Sequence, residues 1–84
     1  MGDESVYLMA TADGRYLKIG IARDVEARRS SLQTAHPEKL KVIGVIPGGG
    51  RRLERQLHLE FRAYRTLGEW FMASPFILER FMVG

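Results

Sequence analysis

The sequence predicts a small α+β domain in the order ββαβαα, a three-stranded antiparallel sheet flanked by three helices. Two alternating, β-rich stretches, Ser5–Ala10 and Tyr16–Ala22, lie on either side of an Asp13-Gly14 turn. Helix-start signals stand at Asp24 and at Ser74-Pro75. The length of 84 residues, 45% of them apolar and 27% charged, matches one globular core and excludes a second domain, a disordered tail or a coiled coil.

In chain order, the first two stretches form an antiparallel hairpin, because Asp-Gly between alternating runs favours turns that match the twist of paired strands. Asp24 caps a helix running to about Thr34, and Pro37 prevents its continuation. Leu40 to Ile46, rich in β-branched residues, is the third strand. Pro47-Gly48-Gly49-Gly50 is a loop, after which Arg51 to about Tyr64 reads as the longest helix, with Gly68 as punctuation. Ser74, with proline at the first helical position, opens a last helix through Phe76, Ile77, Phe81 and Met82.

The absence of cysteine removes a disulfide framework, a thiolate metal site and a cysteine nucleophile, and fits an intracellular, cytoplasmic protein. No apolar run approaches the ~18 residues of a membrane span, and Met1-Gly2-Asp3-Glu4 is acidic where a signal peptide is basic. A soluble, unprocessed chain is expected. The net charge is +3, with five arginines between Arg51 and Arg65, a concentration that suggests a polyanion partner.

Period-two geometry places Val6, Leu8, Leu17, Ile19 and Ile21 on one apolar face of the hairpin, the expected core side. The opposite face carries Tyr7, Met9, Tyr16, Lys18, Gly20 and Ala22. For an arbitrary hairpin that is a half-solvated surface, here with room for close approach at Gly20. In the first helix Val25, Arg28 and Leu32 share the inward stripe. The arginine there either snorkels along the core edge, pairs with Glu26 or Asp24, or offers its guanidinium to a phosphate.

In the long helix Leu53, Leu57, Phe61 and Tyr64 fill an arc of roughly 80°. Beside them lie Glu54, Arg65, His58, Arg51, Arg62 and Arg55, one carboxylate among cations. An exposed pair between Glu54 and Arg51 or His58 would contribute only ~0.3–0.5 kcal/mol. Trp70 and Phe71 read as the hydrophobic plug of the core, and Glu69 beside them is weighed as a second acid at the site but not counted among the expected site residues.

Tyr7, Lys18-Ile19-Gly20 eleven positions on, Arg28 eight positions beyond that glycine, and Glu54 in a helix after a third strand together resemble the GIY-YIG endonuclease superfamily. Lys18-Ile19-Gly20-Ile21, Arg28 with Leu32-Gln33-Thr34-Ala35, the Glu54-x-x-x-His58-x-x-Phe61 string and Gly68-Glu69-Trp70-Phe71 look like its small phage and bacterial branch. The resemblance covers residues 5 to about 78. Ser5-Val6-Tyr7 stands in place of Gly-Ile-Tyr, Lys18 in place of the second tyrosine, and Leu32 where several members carry histidine. The chain has no asparagine, so the late asparagine of many members is absent.

The resemblance implies hydrolysis of DNA phosphodiesters with Mg²⁺ or Mn²⁺. By position, Tyr7 would be the general base, Arg28 would steady the phosphate, Glu54 would hold the metal, and Gly20 would let the substrate approach. Lys18, tuning Tyr7, and His58, beside Glu54, complete the expected catalytic set, with Tyr16, Arg51, Arg55 and Arg62 as nucleic-acid contacts.

Such hydrolysis needs a base, a cation for the phosphate and a divalent metal. A phenol with a pKa of about 10 is a poor base at neutral pH, so cationic neighbours that favour phenolate are expected around Tyr7. A single carboxylate suits Mg²⁺, which keeps most of its waters, whereas zinc has little support. Gly48-Gly49-Gly50 either cradles phosphate at a helix start or is a plain loop, and it lacks the Gly-Lys-Ser/Thr ending of a P-loop. The alternative to an endonuclease is a nucleic-acid-binding module of weak or absent catalysis. In either case target choice is expected to come from DNA structure, such as branches, from a partner protein or from homodimerisation.

Overall fold

The computed structural model describes residues 4–82; the acidic Met1-Gly2-Asp3 start, expected to be unprocessed, lies outside the described residues. The elements are β1 (Ser5–Thr11), β2 (Tyr16–Ala22), α1 (Val25–Gln33), β3 (Leu40–Ile46), α2 (Gly50–Glu60), a 3₁₀ turn (Arg62–Tyr64), β4 (Arg65–Leu67), β5 (Trp70–Met72) and α3 (Pro75–Met82). Among the described residues, no helix is long and apolar enough to cross a membrane.

The local signals act as expected at most boundaries. Asp24 accepts a hydrogen bond from the Ala27 amide at 2.9 Å and so starts α1. Ser74 Oγ accepts from the Phe76 amide at 3.1 Å and starts α3. The first turn closes through a 2.9 Å bond from the Gly14 amide to the Thr11 carbonyl.

The sheet has five strands in the order β3-β1-β2-β5-β4, not the three the sequence predicts. The extra pair, β4 and β5, folds back after α2 through Gly68, whose φ of +57° strains any other L residue. β5 then pairs antiparallel with β2, placing Lys18 opposite Trp70 and Leu17 opposite Phe71. Segments of three residues carry too little alternation to be told from a loop.

The apolar hairpin face is the core, as expected. Val6, Leu8, Leu17 and Ile19 are buried with Leu57 and Phe61 and with Phe71, Ile77 and Phe81, and Ile21 packs against them. The second face is not half-solvated, because β1 is a central strand and α1 packs over β3, β1 and β2. Tyr7, Met9 and Lys18 are all buried there. A polar group on that face is therefore a buried polar group, which must find partners.

The long helix ends at Glu60 rather than near Tyr64. Tyr64 still packs against the core, but from the 3₁₀ turn. The continuous arginine stripe is thereby broken. Arg62 donates to the Leu59 carbonyl at 2.9 Å, and Arg65, on β4, donates to the Gly68 carbonyl at 2.8 Å. At the other end of α2, the Gly50 amide donates to the Glu4 carbonyl at 3.0 Å, so the triglycine run ties the helix to the chain entering β1.

Candidate functional site

Tyr7 on β1 lies directly across from Gly20 on β2. A Cβ at position 20 would collide with the Tyr7 hydroxyl and lie 2.5 Å from ring carbon Cζ and 3.1 Å from Glu69 Oε1. Glycine is what lets the phenol lie flat across the strand with a carboxylate at its tip. Gly20→Ala is accordingly expected to lower stability by about 1–3 kcal/mol, the usual overpacking penalty. Urea unfolding checks this; an unchanged midpoint would mean that the phenol does not occupy this space.

Two residues from Gly20, the Lys18 ammonium is held 2.9 Å from Glu69 Oε1, and it lies 5.6 Å from the centroid of the Trp70 ring. The pair is separated by 51 residues in sequence and exists because the Glu69 carbonyl accepts the Ile19 amide at 3.1 Å, which begins the β5 pairing. On the same edge of β2, His58 Nε2–H donates to the Ile19 carbonyl at 3.0 Å, and its ring meets Phe71 edge-on at 5.0 Å. These contacts pin α2 to the strand edge. Glu54, one turn before His58, is carried with it to the Glu69 carboxylate.

The two acids divide one proton unequally. Burial pushes the Glu54 carboxyl above the ordinary range, and the hydrogen bond and charge of Glu69 push it further, against the weaker charges of His58 and Arg51. Burial also acts upward on Glu69, but the hydrogen bond and charge of Lys18, with contributions from Glu54 and His58, hold it below the ordinary range. Of the two, Glu54 is thus the one held toward its neutral form and Glu69 the one held toward its charged form. Glu54 Oε2 is buried and has no hydrogen-bond partner among the described residues.

Burial is also the largest influence on Tyr7, and it raises the phenol above its ordinary value. A hydrogen bond from Arg28 opposes this, while the charges of Glu69 and Glu54 reinforce it. The expectation that cationic neighbours lower Tyr7 is therefore corrected. Only Arg28 acts in that direction, because the Lys18 charge is engaged by Glu69.

Of the residues expected in the site, Tyr7, Gly20, Arg28, Glu54, Lys18 and His58 converge around the Gly20 end of β2, with the charge of Arg51 reaching Glu54. Arg28 is exposed on α1, and its influence reaches the Tyr7 hydroxyl. Arg55 and Arg62 are exposed, away from these contacts. Tyr16 shares the sheet face but stands four residues up β2, ~13 Å from Gly20 along the strand.

Glu69 is the residue that the sequence reading weighs as a second acid and leaves out of the expected site. Its only signal is an acid beside two aromatic residues, and nothing but the β2–β5 register brings it to Lys18. Among the described residues, no group of three or more His, Cys, Asp or Glu side chains is disposed around a metal position. What the site presents is a carboxyl pair with one buried free oxygen, beside a cation and a phenol.

A family model described as the T5orf172 domain matches residues 4–82. No curated protein and no solved structure matches the chain.

Proposed function

Because the chain belongs to the T5orf172 domain family, a phage-associated domain of the GIY-YIG/HNH-like endonuclease type, we propose that it is a divalent-metal-dependent DNA endonuclease. The observation that supports this most is the convergence of Tyr7, Arg28 and Glu54 from three different elements on the Gly20 cradle. A core packing requirement would not place an acid, a guanidinium and a phenol together at a strand edge.

The donor set fits a hard cation. Mg²⁺ and Mn²⁺ bind through one or two carboxylates and complete their shells with water and phosphate oxygens, so a cluster of three protein ligands is not required. Glu54, with its unpartnered buried oxygen, is the residue to hold the metal. Bound there, a divalent cation would supply polarisation of the phosphodiester and stabilisation of the leaving oxygen.

The chain's own groups supply the remaining steps. Arg28 binds the phosphate and opposes the charge that develops on it, and the same guanidinium favours the phenolate form of Tyr7. Tyr7 takes the proton from the attacking water. Lys18 anchors Glu69 and fixes its carboxylate beside the Gly20 opening, at the tip of the Tyr7 phenol. His58, through the Ile19 carbonyl, fixes the turn of α2 that carries Glu54.

Incubation with plasmid and with branched DNA, with and without Mg²⁺ or Mn²⁺, tests the proposal. Tyr7→Phe is expected to reduce the cleavage rate by ~10²–10⁴-fold and Arg28→Ala by ~10²–10³-fold. If wild type and both variants behave alike on every substrate, the endonuclease reading is wrong. The raised Tyr7 phenol adds a second expectation. A base that is mostly protonated at neutral pH gives a rate rising about tenfold per pH unit on the alkaline side of neutrality, until the phenol titrates. A flat profile between pH 7 and 9 would exclude Tyr7 as the base.

A further inference from the structure

The face of the sheet that carries Tyr7 continues past Lys18 into a cleft of about 280 Å³ lined by Thr11, Tyr16, His36, Glu38, Leu67 and Trp70, with Thr66 at its rim. Three rings define it. His36 and Trp70 lie against each other with centroids 5.5 Å apart and planes tilted by 32°, and Tyr16 remains 36% exposed on the neighbouring strand. Leu67, opposite Trp70 in the β4–β5 register, is 79% exposed although large and apolar. Nothing in the fold explains why apolar and aromatic surface should gather here, since the core lies on the other face.

The cleft is also held open. Gln33 Oε1 accepts the Leu40 amide at 2.8 Å, and its amide donates to the Glu38 carbonyl at 2.9 Å. That clamps the loop carrying His36. Within the loop, His36 Nδ1 lies 3.1 Å from the Glu38 carbonyl and 3.2 Å from the Glu38 amide, so it is engaged in either tautomer and the other ring nitrogen is left for a partner outside the loop. Neither the Trp70 indole N–H nor the Glu38 carboxylate has a hydrogen-bond partner among the described residues. Ring faces for stacking thus stand beside a donor and an acceptor for a polar edge.

We infer that this cleft seats one unpaired nucleobase of the DNA strand whose phosphate reaches the Tyr7 cluster, so that the preferred substrate carries single-stranded nucleotides next to the cut. The inference rests on the nucleic-acid reading proposed above. Lys18 joins the two places, its ammonium lying between Glu69 at the cluster and the Trp70 ring at the cleft. Two to four strand residues separate Gly20 from Lys18 and Tyr16, ~7–13 Å, which spans about two to four stacked nucleotides at ~3.4 Å each. A base inside an intact duplex is stacked on both sides and cannot enter; an unpaired one exchanges its neighbours for aromatic side chains.

Trp70 is the sole tryptophan, so its fluorescence reports on the cleft directly. The experiment uses the full chain in EDTA, where binding is separate from cleavage, with single-stranded oligothymidylate and a blunt duplex of equal length, each also followed by anisotropy of an end label. The single strand is expected to quench Trp70 to saturation and the duplex to leave it unchanged. Tyr16→Ala is expected to weaken single-strand binding by ~5- to 150-fold, Tyr16→Phe to restore it, and duplex binding to be unaffected by either. Binding of the single strand without change in Trp70 emission overturns the inference. So does an equal loss of single-strand and duplex affinity in Tyr16→Ala. If neither DNA binds, the nucleic-acid reading falls and takes the inference with it. If stacked binding is found but no DNA is cut under any metal condition, the endonuclease reading alone falls.

Discussion

Glu54→Gln should abolish metal-dependent cleavage and yet leave the folded chain at least as stable as wild type. The substitution keeps the shape of the side chain and removes the charge that would hold the cation. Loss of an electrostatic contribution of several kcal/mol reduces the rate on the order of 10³-fold or more. Stability moves the other way for a reason visible in the site. Burial and the adjacent Glu69 hold the Glu54 carboxyl above its ordinary range, so ionising it in the folded state is unfavourable. A group with a raised folded pKa contributes its stability at low pH and loses it as pH rises through the folded value. Glutamine does not titrate, and its amide can donate to the Glu69 carboxylate. The advantage of the variant should therefore be absent below the ordinary glutamate range, appear as pH rises through the raised Glu54 value, and persist at neutral pH. Each ~1 kcal/mol moves the melting temperature of a domain this size by about 4–8 °C. Thermal melts in EDTA between pH 4 and 8, beside cleavage assays, check both halves. A variant that melts well below wild type at pH 7 would show that Glu54 is a structural ion and that its metal role is wrong.

That opposition between stability and function explains which parts of the molecule were legible in the sequence. Signals acting within a few residues were read correctly. The Asp24 and Ser74 caps, the Asp13-Gly14 turn and the apolar Val6, Leu8, Leu17 and Ile19 set all lie where local rules place them. Tyr7, Gly20, Arg28 and Glu54 could be nominated because each breaks such a rule, as a polar residue on a strand face or apolar stripe, or a glycine inside a strand. What local rules could not supply was the neighbour of each group. β4 and β5 are three residues each, too short for alternation to show. Without them β2 appears to be an edge strand, its second face appears half-wet, and Glu69 has no reason to meet Lys18. The direction of the Tyr7 shift was misjudged for the same cause, since burial of the second face raises the phenol most and the two carboxylates that add to it arrive from the β4–β5 turn and from α2. The arginine stripe failed differently. A helical wheel drawn through Arg65 assumes a helix that ends at Glu60.

Phe71→Ala is expected to show that β5 unites the core and the site. Phe71 is fully buried, belongs to the main apolar cluster and faces the His58 ring edge-on. Removing a phenylalanine from such a position costs about 3–5 kcal/mol. A domain of this length has a total stability of roughly 4–13 kcal/mol, so the variant should be close to unfolding or only partly folded at 37 °C. Leu67→Ala on the neighbouring β4 is the control, because that side chain is 79% exposed and surface changes stay within about 0.5 kcal/mol. The more informative variant is Phe71→Leu, which keeps an apolar plug but removes the ring edge from His58. If β5 merely fills the core, Phe71→Leu loses stability evenly across the molecule. If it also sets the site, the Ile19 amide, which donates to the Glu69 carbonyl, should exchange its hydrogen faster relative to the Leu8 amide of central β1 than it does in wild type. Equal acceleration at both amides would separate the core from the site. A faster Ile19 amide would mean that the strand which buries Phe71 also holds Glu69 against Lys18, and through Glu69 sets the charge around Glu54 and Tyr7.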